Sequence, residues 1–364
     1  MVGGDLMDKD QLKENRLNND MEYIISQIVD KMEKPPTAIY LCGGYGRGEG
    51  AWIFNPDGSV SPYNDYDFSV ITDYPLSPKE YSDLRKEVAA KIGISWIDID
   101  FYPLMSLKKM SATIKNVDLL YASKFLYGED IIKTLAPICL QNIGVYDVLK
   151  LYRTRIWTFL GSWNGSFHNL QADESCFFKN QMAKAVLAAC DMILISEKAY
   201  TPRYYDRVER TCKVMSYNER FCARARWALH EKMNPSIEEL SLEEMKELYF
   251  ECKMLFDEGL RYFLKENYKY FEDPEITKRY YYLHTSHLVH DVYNKLFRKS
   301  KQVEKSLDLF IIQNYVYRAN CNGVIEEKSI IRANELLKKW DYIDKTNLSW
   351  DELHRIAADA RNNA

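Results

Sequence analysis

Asp65 and Asp67 stand one residue apart in the run Asn64-Asp-Tyr-Asp-Phe68, and a second such pair, Asp98 and Asp100, stands in Trp96-Ile-Asp-Ile-Asp-Phe101. Residues two apart on a β-strand share a face. Each pair therefore sets two carboxylates side by side and turns Tyr66, Phe68, Ile97, Ile99 and Phe101 to the opposite, apolar face. Adjacent carboxylates repel unless a cation lies between them. Magnesium suits that place, because it prefers hard oxygen ligands and takes one or two carboxylates together with phosphate oxygens. Three carboxylates can hold two such ions for an in-line displacement at phosphorus: one ion activates the attacking oxygen, and the other steadies the triphosphate and the leaving pyrophosphate. The plain alternative is a set of solvated aspartates on an exposed sheet face.

Upstream lies Gly43-Gly-Tyr-Gly-Arg-Gly48, directly after the apolar run Thr37–Cys42. Glycine backbone can approach phosphates closely, and the Arg47 guanidinium suits phosphate oxygens. Gly46-x-Gly48-x-x-Ala51 loosely fits a dinucleotide fingerprint, but that motif needs a helix directly after the glycines. Asn55-Pro-Asp-Gly58 argues against a long one. A phosphate-binding P-loop is excluded, since no Gly-Lys-Ser/Thr follows. A purely structural glycine turn stays open.

The elements that must position these residues follow from periodicity and turn chemistry. Apolar residues from Leu12 to Met32 recur at helical spacing, so Asp10–Glu33 reads as a helix that Lys34-Pro-Pro36 stops. Thr37–Cys42, Tyr66–Thr72 and Ile94–Tyr102 read as strands. Residues 51–64 hold turn formers and read as a hairpin or loop. Ser77-Pro-Lys-Glu80 is a capping box opening a helix that Gly93 ends. These elements make an α+β N-terminal domain over residues 1–135, a short mixed sheet with flanking helices.

From residue 136 to 364 the pattern is helical, an all-α C-terminal domain. Helices are expected over 145–161, 174–197, 203–215, 218–232, 241–267, 276–299, 303–318, 326–341 and 349–361, with no strands. Ser241-Leu-Glu-Glu244 is a further capping box.

The resemblance carried by Gly43-Gly44, Asp65-Tyr66-Asp67 and a later strand aspartate is to the DNA polymerase β-like nucleotidyltransferase superfamily. Gly43-Gly-Tyr-Gly-Arg-Gly48 resembles the Gly-Ser-Tyr-Ala-Arg-Gly stretch of several branches. The likeness covers roughly residues 20–130. It implies a nucleotidyltransferase that moves a nucleoside monophosphate from a triphosphate to an acceptor hydroxyl and releases pyrophosphate. Gly43 and Gly44 would hold the triphosphate through backbone N–H groups. Asp65 and Asp67 would ligate two Mg2+ ions, with Mn2+ as a substitute. The third ligand would be Asp100, favoured because Asp100-Phe-Tyr-Pro103 resembles the family's Asp-hydrophobic-hydrophobic-Pro run, with Asp98 as the alternative. A helix of the type spanning residues 178–195 offers lysines to the triphosphate in similar enzymes, which points to Lys179 or Lys184. The gap between Gly44 and Asp65 is longer than usual for the family. The extra residues 51–62 are either a substrate lid or a neutral insertion.

The whole chain of 364 residues sets bounds on the partners. A net charge of −4 provides no strong field for nucleic acid. The acceptor is therefore expected to be a small molecule or a protein, with long nucleic acid less favoured and ATP the leading donor. The basic-aromatic set Lys150, Arg153, Arg155 and Trp157 reads first as surface charge. His284, His287 and His290 share a helical spacing but have no acidic fourth partner nearby, so they read as packed or solvated. Eight cysteines lack metal-ligand spacing and read as reduced thiols of a cytoplasmic protein. No apolar run is long enough to span a membrane. The rival reading is a catalytically idle nucleotide-binding module, a sensor or a toxin–antitoxin component on the same fold.

Overall fold

The computed structural model describes residues 9–74, 81–94, 96–162, 172–268, 300–321, 324–340, 343 and 347–359. The Ser77–Glu80 capping box, the helix expected over 276–299 and the three histidines lie outside the described residues. The chain divides into two compact units. The first joins Met1–Ile143 to Tyr200–Glu209 and Leu229–Pro235; the second holds Gly144–Ala199, Arg210–Ala228 and Ser236–Ala364. The helical half therefore returns two segments to the first unit, which a single boundary at residue 135 does not anticipate.

In the first unit, helix α1 (Lys9–Lys31) precedes strand β1 (Ala38–Cys42), and the glycine run forms one helical turn, α2 (Gly43–Gly46). Strands β2 (Ala51–Phe54) and β3 (Val60–Tyr63) make a separate antiparallel hairpin. Strand β4 (Tyr66–Thr72), helix α3 (Ser82–Ile92), strand β5 (Ile97–Pro103), the turn α4 (Leu104–Leu107), helix α5 (Ile114–Ala122) and strand β6 (Lys124–Gly128) follow. Thr113 caps α5, accepting the N–H of Asn116 at 3.2 Å.

The main sheet has the order β5-β4-β1-β6. Strand β4 runs parallel to β5 and antiparallel to β1, so the sheet is mixed as expected. Period-two alternation divides its side chains between two cores. Ile39, Leu41, Tyr66, Phe68, Val70, Ile97 and Ile99 pack on α1 and α3. Ala38, Tyr40 and Ile71 pack with Leu107, Leu119 and Ile131 on the other face. Asp65, Asp67, Asp98 and Asp100 alternate onto this second face, where only part of the area is apolar.

The second unit is mostly helical among its described residues. It comprises α6 (Val145–Ser162), α7 (Ala172–Ser196), most of α9 (Glu219–Met233), α10 (Leu242–Leu264), α11 (Ser300–Ala319), α12 (Glu327–Lys339) and α13 (Trp350–Asp359), together with the end of α8 (Tyr204–Val214). A short hairpin, β7 (Asn320–Cys321) with β8 (Val324–Ile325), is the one departure from an all-α reading among the described residues. The Ser241–Glu244 capping box forms: the Ser241 N–H donates to Glu244 Oε2 at 2.8 Å, and the Glu244 N–H donates to Ser241 Oγ at 3.3 Å. Helices α7 and α10 approach closely at Gly259, where an added Cβ would stand 2.7 Å from the Ala189 Cα. In the basic-aromatic set of α6, Lys150 is exposed, while Arg153 and Trp157 pack inside the unit. Arg153 lies over Phe310, and the Trp157 indole donates to the Ala358 carbonyl at 3.1 Å. No described helix is long and apolar enough to cross a membrane.

Candidate metal centre

Three carboxylates meet on the β4–β5 edge of the second sheet face. One oxygen from each of Asp65, Asp67 and Asp98 lies within 4.8 Å of the others. Parallel pairing sets Asp67 opposite Asp98 and Ser69 opposite Asp100. Of the two β5 aspartates weighed as third ligand, Asp98 is the one the structure brings together with Asp65 and Asp67. Asp100 stands one step further along the same face and pairs with Lys115 of α5 at 2.8 Å. Asp65 occupies the residue just before β4. Asn64 precedes it in the left-handed region (φ +79°), a conformation asparagine tolerates, and its side-chain amide donates to Asp65. The Trp96 indole donates to Asp98 Oδ1 at 2.7 Å and orients that carboxylate.

Asp67 sits deepest. Burial, followed by the negative charges of Asp65 and Asp98, pushes its carboxyl up to about 7, against the opposing pull of Arg47 and Lys232. A proton or a cation is therefore strongly favoured at this point. Gly43 makes the position accessible. It adopts φ +61°, and an added Cβ would stand 1.8 Å from Asp67 Oδ2. The first glycine of the run is needed for the approach of the carboxylate as much as for any phosphate. Gly43 and Gly44 open the single turn α2, so their N–H groups have no helical acceptor.

Arg47 does not present a phosphate ligand. Its guanidinium is buried, donating to Glu49 Oε2 at 3.2 Å and Asp118 Oδ2 at 2.8 Å and lying 4.6 Å from the Tyr204 ring centroid. Glu49 accepts the backbone N–H groups of Tyr204 and Tyr205 at 3.0 and 3.2 Å, capping the start of α8. Arg207 joins through Asp118 at 3.2 Å and the Thr201 carbonyl at 2.7 Å. This network explains why Tyr200–Glu209 belongs to the first unit. Arg47 acts on the centre as a fixed buried positive charge.

Lys179 and Lys184 belong to the second unit. Lys179 is buried and its ammonium donates to the Glu238 carbonyl at 2.7 Å, so it is a structural residue of α7 rather than an open phosphate ligand. Lys184 is half-buried on the same helix. The lysine whose charge reaches the centre is Lys232, from the α9 segment that rejoins the first unit. The sequence carried no local signal for it beyond a lysine in the last turn of a helix.

The 51–62 hairpin is tied down. The Tyr45 hydroxyl donates to the Ala51 carbonyl and accepts the Tyr63 N–H at 3.0 Å, clamping both ends of the hairpin to the glycine turn. Its ring packs edge-on against Trp52 and Tyr66.

Comparison of the chain with family models, with curated proteins and with solved structures found no significant match.

Proposed function

We propose that the protein is a metal-dependent nucleotidyltransferase that moves a nucleoside monophosphate from a triphosphate donor, ATP first among them, to an acceptor hydroxyl with release of pyrophosphate. The observation that carries this reading is the meeting of Asp65, Asp67 and Asp98 within 4.8 Å, with Gly43 seated against Asp67. An all-carboxylate donor set fits Mg2+, with Mn2+ as a substitute. When bound, a pair of such ions would supply Lewis-acid polarisation of phosphoryl oxygens and activation of the acceptor hydroxyl.

The chain's own residues have separable roles in this reading. Asp65, Asp67 and Asp98 hold the ions, and Asp67 must first give up the proton its surroundings favour. Gly43 and Gly44 offer backbone N–H groups to phosphate oxygens. The positive charges of Arg47 and Lys232 act on Asp67, and Arg47 also fixes the glycine turn. The small net charge supports a small-molecule or protein acceptor over long nucleic acid.

A thermal-shift panel of the four common nucleoside triphosphates, with and without Mg2+, tests the reading on the wild type and Asp67→Asn. A ligand at a hundredfold excess over its dissociation constant stabilises the folded state by about 2.7 kcal/mol. The expected result is a Mg2+-dependent rise in Tm with one triphosphate that Asp67→Asn loses. Equal shifts in both proteins would remove the carboxylates from the site and the reading with them.

A further inference from the structure

Lys115 stands on the site face of the sheet with no part in the metal cluster. It lies in the first turn of α5, whose Leu119 packs on Ala38, Tyr40 and Ile71, and its ammonium lies 2.8 Å from Asp100 Oδ2 and 5.3 Å from the Tyr102 ring centroid. Asp100 and Tyr102 follow Asp98 along the same face of β5. The ammonium is thus held one residue pair beyond the third carboxylate of the cluster, and it is accessible: the side chains of Lys115 and Asp100 are 59% and 51% exposed. Half-exposed ion pairs hold weakly, so the ammonium can exchange Asp100 for an incoming anion at little cost.

The sheet order says which substrate meets it. The glycine turn, assigned above to the donor's phosphates, follows β1 on one flank of β4, whereas β5 lies on the other flank. The β5 flank remains for the acceptor. A lysine is a flexible point charge suited to a phosphate group, and Tyr102 beneath it limits its swing. The geometry points to Lys115 as the specificity residue for a small acceptor that carries a phosphate group, held beside Asp98 with its hydroxyl toward the three carboxylates. This rests on the nucleotidyltransferase reading of the same site.

The test uses the full chain with Mg2+ and a non-hydrolysable triphosphate analogue at saturation, so that the donor's phosphate positions are filled. Inorganic phosphate is then titrated at constant ionic strength, and Tm is read for the wild type, Lys115→Met and Asp100→Asn. Lys115→Met keeps the stem against Tyr102 and removes only the charge. The expected result is a further phosphate-dependent rise in the wild type, its loss in Lys115→Met, and a rise at lower phosphate in Asp100→Asn, where the competing carboxylate is gone. A Mg2+-dependent response to the analogue in Lys115→Met that equals the wild type shows that the donor site is intact in that variant. Phosphate stabilising Lys115→Met as well as the wild type, or stabilising the wild type only when the analogue is omitted, overturns the assignment. No response of the wild type to the analogue with Mg2+ overturns the nucleotidyltransferase reading itself, and the acceptor site falls with it.

Discussion

An added Cβ on Gly43 would stand 1.8 Å from the Oδ2 of Asp67, so the two residues, one at the end of β1 and one on β4, leave room for nothing between them but hydrogen. The glycine turn and the clustered carboxylates are thus built as one unit. Gly43→Ala would force the carboxylate out of the cluster and would place a Cβ in the left-handed region as well, which alone costs about 1–2 kcal/mol. We expect a lower Tm together with loss of Mn2+ binding in this variant. Gly48→Ala, at a left-handed glycine with no atom within 4 Å of the added Cβ, is expected to lower Tm and keep the metal. Calorimetric titration of both variants checks the pair.

The proton affinity of Asp67 sets a pH dependence with a definite sign. Its carboxyl is raised to about 7 in the fold, against an ordinary value of about 4 in the unfolded chain. The folded state therefore binds this proton more tightly, and its contribution to stability is lost as pH rises from about 4 to about 7. Metal competes with the proton, so Mn2+ affinity should rise across the same window and level off above about 7. Thermal melts of the metal-free protein at several pH values, paired with Mn2+ titrations, should move in opposite directions. Metal affinity that is flat between pH 5 and 7 would contradict the placement of Asp67.

Arg47 is expected to be a residue of stability before it is one of binding. Its guanidinium serves Glu49 and Asp118 within the protein, and removing one partner of a buried ion pair costs about 3–5 kcal/mol. Arg47→Met should unfold at much lower denaturant concentration. Lys232→Met should weaken triphosphate binding in the presence of Mg2+. Chemical denaturation of Arg47→Met and triphosphate titration of Lys232→Met check the two roles; unchanged stability in the first or unchanged binding in the second would count against them.

Much of this architecture was legible in the chain. The period-two runs around Phe68 and Ile99 gave the strands and the faces on which the aspartates lie, and the described helices of the second half fall close to their expected bounds. The identity of the third carboxylate was not legible, because Asp98 and Asp100 share a face and only the pairing of β5 with β4 sets Asp98 opposite Asp67. Register is a relation between strands and leaves no mark within either one. Lys232 was missed, and the internal ion pairs of Arg47 went unseen, for a similar reason. Arg47 has the chemistry of a phosphate ligand until Asp118 and Arg207, distant in sequence, are brought to it. Lys232 acts on Asp67 because part of the helical half rejoins the first unit.

The most direct measurement is a calorimetric titration of Mn2+ with a non-hydrolysable triphosphate analogue present, carried out on the wild type, Asp98→Asn and Asp100→Asn. The geometry predicts that the wild type and Asp100→Asn bind the ion and that Asp98→Asn loses it, because Asp98 alone of the two reaches Asp65 and Asp67. Retained binding in Asp98→Asn with loss in Asp100→Asn would contradict the centre described here.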